Sequence, residues 1–151
     1  MVTENRTIVL ASGTFDLLHL GHVRFLEEAK KAGNENAKLV VIVARDSTVK
    51  AQKGKTPVMP EDQRRALVES LKVVDEAILG KEGVSIEKAI EQIKPDIIAV
   101  GHDQYSTEKK VLKAIDQKGL KIKVAKIGKF GKQELDSSSK IVRKIIESVN
   151  K

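Results

Sequence analysis

The sequence lacks several residue types on which common kinds of protein chemistry depend. Its 151 residues include no cysteine and no tryptophan, and the aromatic residues are one tyrosine and three phenylalanines. The absence of cysteine excludes disulfides, thiolate metal sites and cysteine nucleophiles. No apolar run approaches the roughly 18 residues of a membrane-spanning helix, and the first residues lack the pattern of a signal peptide. We therefore expect a cytoplasmic protein that does not bind membranes.

Positive charge is concentrated in the last third of the chain. The net charge is +7, and residues 109–151 carry thirteen Lys or Arg against four acidic residues. Such a cluster is either a set of solvated helix faces or a positive field that draws in a polyphosphate or a nucleic acid. Because there are few aromatic side chains to stack on bases, we expect no nucleic-acid partner.

Short apolar runs alternate with amphipathic segments along the whole chain. The length and a hydrophobic content of 40% predict one folded domain, residues 1–151. The alternation predicts an α/β protein, a Rossmann-like three-layer sandwich with a five-stranded parallel sheet. Residues 50–60 are polar and predict a loop, with one helical turn before it. The predicted strands lie at 6–12, 38–44, 73–79, 96–101 and 122–125, and the predicted helices at 20–32, 60–71, 85–93, 107–118 and 137–149.

The segment between the first strand and the first helix holds two of the three histidines, His19 and His22, on either side of Gly21. In a parallel sheet, ligands bind beyond the carboxyl ends of the strands, and a helix N-terminus there favours anions. Two histidines at this place are suited to bind a polyphosphate, although they could equally cap and fill the helix start. Without a neighbouring glutamate or cysteine, a zinc hydrolase site has little support. The segment also lacks the glycine patterns of dinucleotide sites and P-loops.

The residues Gly-Thr-Phe-Asp-Leu-Leu-His-Leu-Gly-His at positions 13–22 resemble the opening signature of the cytidylyltransferase-like nucleotidyltransferases. The resemblance implies that His19 and His22 hold the triphosphate of a nucleotide. It also implies nucleotide contacts from other residues of this segment, Gly13, Thr14, Phe15 and Gly21. The implied reaction is nucleotidyl transfer, in which an acceptor phosphate attacks the α-phosphorus and pyrophosphate leaves without a covalent enzyme intermediate.

In-line phosphoryl transfer needs mainly positioning and neutralisation of charge, so cations are expected around this segment. Lys53, Lys55 and Arg64 match basic positions that the family uses on phosphates, and the resemblance assigns catalytic roles to Lys53 and Arg64. The alternative for the two lysines is a solvated loop. A divalent cation, expected to be magnesium, would bridge the phosphates. Asp16 either ligates or orients that cation, or caps the helix.

Three later segments also carry candidate nucleotide contacts. Asp103, after the fourth strand, resembles the family's acidic residue that contacts the nucleotide, although it is also suited to cap the next helix. Ser137 and Ser138 begin the last helix, where hydroxyl and N–H groups suit phosphate. Phe130 is placed either to stack on a ring near the nucleotide or to serve in the core or a hinge.

Two groups within the family resemble this chain. Cytidylyltransferases for glycerol phosphate are similar up to Val74-Asp75-Glu76, but their later Arg-Thr-Glu-Gly-Ile-Ser-Thr signature is replaced by Lys-Gln-Glu-Leu-Asp-Ser-Ser at 132–138. Archaeal FAD synthases, which transfer AMP from ATP to FMN, match better over nearly the whole chain, including segments 43–50, 60–65, 74–80, 94–98 and 101–104. The resemblance implies a homodimer with ATP and FMN as substrates. Transfer from CTP to glycerol 3-phosphate is the alternative.

Overall fold

Five strands alternate with six helices in the part of the chain that the structure, a computed structural model, describes, namely residues 5–82, 85–129 and 137–151. The strands are β1 (Thr7–Gly13), β2 (Ala37–Val43), β3 (Glu76–Leu79), β4 (Ile97–Gly101) and β5 (Lys123–Ile127). The helices are α1 (Leu20–Lys31), α2 (Asp46–Lys53), α3 (Glu61–Glu69), α4 (Ile86–Ile93), α5 (Tyr105–Lys118) and α6 (Ser138–Val149).

The strands form one parallel sheet in the order β3-β2-β1-β4-β5, which confirms the predicted five-stranded sheet. β1 pairs with β2 along its whole length, from Thr7 opposite Ala37 to Gly13 opposite Val43. On its other side β1 pairs with β4, with Leu10 opposite Ile98. The strand order therefore reverses between β1 and β4, and a ligand cleft is expected beyond their carboxyl ends.

Apolar side chains cover both faces of the sheet, which explains why its strands are continuous apolar runs. On one face Val9 and Val41 pack with Leu26 of α1 and Val68 of α3. On the other face the core combines strand residues with α4 and α5, and its buried members are Leu10, Val40, Ile90, Ile98, Val100, Val111 and Ala114. The predicted three-layer sandwich is confirmed.

Two element predictions were wrong. The helix expected to be one turn before residue 50 is the eight-residue α2, which extends to Lys53, so the predicted loop begins only at Gly54, which adopts a left-handed conformation at φ 78°. Val49 is its one buried residue, so apolar periodicity could not reveal it. Val73 and Val74 precede β3 in a turn closed by the bond from Val74 N to Leu71 O at 3.0 Å.

Within the described ranges, no helix has the length and apolar character needed to cross a membrane.

Candidate active site

The carboxyl ends of the strands open into a cleft of about 1520 Å³ at the reversal of strand order. The structure brings most of the predicted site residues to its walls: Gly13, Thr14, Phe15, His19, Gly21, His22, Lys53, Lys55, Asp103, Ser137 and Ser138. Arg64 does not line the cleft, and Phe130 lies outside the described residues. Segments that are far apart in the sequence therefore meet at one place.

The imidazoles of His19 and His22 stack at the start of α1, with ring centroids 3.7 Å apart and an interplanar angle of 25°. His19 is the N-cap residue, and its backbone N donates to Nδ1 of His22 at 3.3 Å. Because Nδ1 accepts this bond, the proton of the neutral His22 ring resides on Nε2. The ring can then donate a hydrogen bond from Nε2 to a bound anion.

The pKa of His22 is lowered from 6.5 to about 4, chiefly by burial and secondly by the neighbouring His19. Asp16 and Asp103 act in the opposite direction but do not offset burial. His22 is therefore neutral at physiological pH and offers a hydrogen-bond donor rather than a positive charge. Neutralisation of a polyphosphate in this cleft must come from other groups.

Lysines and an arginine supply that positive charge. Lys53 is the last residue of α2 rather than a loop residue, Lys55 follows after Gly54, and both are exposed at the cleft. Further basic residues that were not singled out from the sequence also line the cleft, among them Lys110, Lys113, Lys140 and Arg143 of the basic last third. The uneven charge of the chain was the available signal, and it favoured a polyphosphate site without identifying these residues.

The turn between β1 and α1 contains two non-glycine residues in the left-handed backbone region, Phe15 at φ 55° and Leu17 at φ 49°. This conformation costs about 1–2 kcal/mol for each such residue. The Phe15 side chain is only 3% exposed and lies 5.4 Å from the His22 ring, centroid to centroid. A Cβ on Gly13 would meet Phe15 Cε2 at 3.0 Å, so glycine at position 13 makes room for this ring.

Asp16 lies between these two residues and binds backbone groups of distant segments. Its carboxylate accepts from Val58 N at 2.8 Å and from Met59 N at 2.9 Å. Its carbonyl oxygen accepts from the Ser138 hydroxyl at 2.5 Å, while Ser137 caps α6 by accepting from Lys140 N at 3.2 Å. These contacts differ from capping of α1, and the role of Asp16 toward a divalent cation stays a prediction.

Arg64 is completely buried, with its exposed fraction at 0%. Its guanidinium donates to Thr14 O at 2.7 Å, Ala44 O at 2.8 Å and Met59 O at 2.9 Å, and to Asp46 Oδ1 at 2.6 Å. It thereby ties the turn after β1 to the end of β2 and the start of α2. This placement differs from the predicted phosphate contact, because the guanidinium binds backbone carbonyls and Asp46 and does not line the cleft.

Gln104 joins the two strands at the reversal point, a role that no spacing in the sequence indicated. Its side-chain oxygen accepts from Gly101 N at 2.8 Å, and its side-chain nitrogen donates to Ser12 O at 2.8 Å. The ends of β4 and β1 are thus held together beside Asp103, which is exposed at the cleft.

No cluster of three or more His, Asp or Glu side chains suitable for a metal occurs within residues 5–82, 85–129 and 137–151. Magnesium usually takes one or two carboxylates together with substrate phosphates, so it does not need such a cluster. Asp103 supplies a carboxylate at the cleft wall. The residues present therefore fit a divalent cation that enters with a nucleotide.

Comparisons with known proteins find relatives over most of the chain. A relative from Methanobrevibacter smithii named FAD synthase is 52% identical over 137 residues, covering 91% of this chain and 89% of its own. A second, from Ferroglobus placidus and of the same name, is 54% identical over 138 residues, covering 91% and 87%. A crystal structure from Thermoplasma volcanium, titled lipopolysaccharide core biosynthesis protein, superposes with a TM-score of 0.75 at 45% identity, covering 84% of this chain and all of that one. The model of the Cytidylyltransferase-like family matches residues 10–145, and the chain belongs to that family.

Proposed function

We propose that this chain, as a single nucleotidyltransferase domain of residues 1–151, is an FAD synthase that transfers AMP from ATP to FMN and releases pyrophosphate. The observation that carries the proposal is the stacked pair His19 and His22 at the N-terminus of α1, at the reversal of strand order. The relatives of about half identity that carry the name FAD synthase support the choice of substrates.

In the proposed reaction the triphosphate of ATP lies across the start of α1, where backbone N–H groups and the helix dipole favour an anion. The imidazoles of His19 and His22 donate to phosphate oxygens, and Lys53 and Lys55 neutralise charge. An oxygen of the FMN phosphate forms a bond to the α-phosphorus of ATP as the bond to the β-phosphate oxygen breaks. The donors stabilise the charge that develops on the leaving pyrophosphate.

We propose magnesium as the divalent cation. When bound to the triphosphate, it would withdraw charge from the phosphate oxygens and orient the leaving group. Asp103, whose side chain lines the cleft, would hold it together with phosphate oxygens.

The test is pyrophosphate release by purified protein with magnesium, comparing ATP and CTP, each with FMN or with glycerol 3-phosphate. Release with ATP plus FMN alone is the expected result. Release with CTP plus glycerol 3-phosphate alone would refute the proposal and favour the cytidylyltransferase, whose family shares the signature at 13–22. We expect the other two combinations to remain silent.

Two substitutions at His22 separate phosphate binding from capping of α1. His22→Ala removes both the ring and the acceptor for His19 N, whereas His22→Asn retains a side-chain oxygen that can accept that bond. We expect both variants to lose at least about 100-fold in kcat, because a donor to the transition state is worth this much. His19→Ala should behave similarly. Normal turnover by His22→Asn in a folded protein would contradict the role of the ring in phosphate binding.

The homodimer implied by the family resemblance stays a prediction, as does the cytoplasmic location. Sedimentation equilibrium of the purified protein tests the first, and a mass of one chain at micromolar concentration would contradict it.

A further inference from the structure

Asp16 is the point at which three parts of the cleft wall meet. Its carboxylate accepts from two consecutive backbone groups, Val58 N and Met59 N, in the loop between α2 and α3. Its carbonyl oxygen accepts from Ser138 at the start of α6. One residue therefore joins the turn after β1, the loop before α3 and the last helix.

The backbone around Asp16 needs such external support. Phe15 and Leu17, on either side of it, both have positive φ angles, at 55° and 49°. Non-glycine residues keep this conformation only where the surroundings determine it. The support comes from Arg64, which donates to Thr14 O, and from the three hydrogen bonds to Asp16.

The loop that Asp16 binds lies next to the two lysines that bind phosphate in the proposed function. Lys53 ends α2, Lys55 follows, and the anchored residues Val58 and Met59 come three and four positions later. On the other side, His19 is three residues after Asp16. The carboxylate thus connects the segment with the histidines to the segment with the lysines.

We infer that Asp16 is a positioning residue, whose carboxylate locks the lysine-bearing loop against the histidine segment so that both sets of groups face one triphosphate. The inference rests on the proposed function for the identity of the substrate. It assigns Asp16 to the backbone of residues 58 and 59 rather than to the divalent cation.

The first test compares Asp16→Asn with Asp96→Asn. Asp96 is a matched control, because its carboxylate also accepts from a backbone N–H, that of Ile8 at 2.8 Å, but it precedes β4 at the amino ends of the strands, opposite the cleft. We measure ATP binding by calorimetry, kcat, KM for ATP and the magnesium concentration that gives half-maximal activity. For Asp16→Asn we expect ATP affinity to fall at least tenfold and KM to rise at least tenfold. We expect kcat to fall less than tenfold and the magnesium requirement to stay within twofold. Asp96→Asn should bind ATP as the unmodified protein does.

The second test removes the donor instead of the acceptor. Val58→Pro lacks the backbone N–H that Asp16 binds, whereas Val58→Ala keeps it. The Val58 side chain is 66% exposed, so Val58→Ala should change nothing. We expect Val58→Pro to reproduce the loss of ATP affinity of Asp16→Asn. The double variant should be no weaker than the weaker single variant, because both substitutions weaken the same attachment of Asp16 to the backbone of residues 58 and 59.

Three results would overturn the inference: normal ATP affinity in a folded Asp16→Asn, a tenfold shift of its magnesium requirement, or normal ATP affinity in Val58→Pro. If Asp16→Asn does not fold, the pair Val58→Pro and Val58→Ala decides the question. Failure of the proposed function would show itself differently, as absence of turnover with ATP and FMN in the unmodified protein, while calorimetry with ATP would still test the role of Asp16.

Discussion

Replacing Arg64 by alanine is predicted to be among the most damaging single substitutions in this protein. The change leaves three partly buried carbonyl oxygens, those of Thr14, Ala44 and Met59, without the donor that now satisfies them. Each stranded acceptor costs about 1 kcal/mol or more. The bond to Asp46, whose side chain is 34% exposed, adds about 1 kcal/mol after solvent screening. The expected loss of unfolding free energy is therefore about 4 kcal/mol, within the range for breaking a buried ion pair.

The assay is thermal and urea unfolding followed by circular dichroism. In a domain of this length 1 kcal/mol corresponds to roughly 2–4 °C, so Arg64→Ala should lower the Tm by roughly 10 °C. Arg65→Ala is the matched control. Arg65 pairs with Glu69 on the surface and makes a bond of 3.2 Å to Ala77 O, so its loss should cost about 1 kcal/mol or less.

A Tm for Arg64→Ala within about 3 °C of the unmodified protein would refute this reasoning. Arg64→Lys gives a second check, because an ammonium keeps the charge but cannot span four separate acceptors. We expect it to be destabilised by about half as much as the alanine variant. If Arg64→Lys were fully stable and instead raised KM for ATP, the guanidinium would be a phosphate ligand and not part of the framework.

Three further predictions follow from the geometry. An unfolded histidine takes up a proton near pH 6.5, whereas folded His22 does so only near pH 4. As the pH falls from 6.5 to 4, the free energy of unfolding should therefore decrease by up to about 3 kcal/mol. His22→Asn should reduce this decrease, as measured by urea unfolding at pH 6.5 and at pH 4. Gly33→Ala would place a Cβ 2.5 Å from Val9 Cγ2 and should destabilise by about 1–3 kcal/mol in thermal unfolding, whereas Gly128→Ala meets nothing within 4 Å and should be neutral. Lys53→Ala should raise KM for ATP about tenfold without changing the Tm, because it removes a charge-assisted contact to phosphate. Lys72 is exposed and does not line the cleft, so the control variant Lys72→Ala should leave KM unchanged.

The fold was predictable because its main signals are local. Each strand is a short apolar run, and α4 shows its helical face through Ile86, Ile90 and Ile93. The full length of α2 escaped prediction because the helix buries only Val49 and is held by contacts from α3 instead. Arg45 pairs with Glu61 at 2.8 Å, and Asp46 accepts from Arg64. Such contacts involve residues 16 and 18 positions away and leave no periodic pattern.

The predictions about the site also separate into those that rest on consecutive residues and those that depend on contacts between distant segments. The segment at 13–22 carries its chemistry in consecutive residues, so the histidine pair and its place between a strand and a helix were accessible from the sequence. The sequence also offered Arg64 and Asp16 as charged groups near phosphate or metal, the partners that their charges alone suggest. In the structure both bind backbone groups of other segments.

The sequence by itself determined the alternation of strands and helices, the position of the histidine segment and the uneven distribution of charge, because each depends on residues that are close together in the chain. Only the tertiary structure decided which partner each polar side chain takes. Arg64 and Thr14 are 50 positions apart, and Ser138 and Asp16 are 122 apart, yet each pair is in hydrogen-bond contact. A buried donor binds whichever acceptor the packed backbone brings within reach, and that choice is made when the sheet and its helices come together.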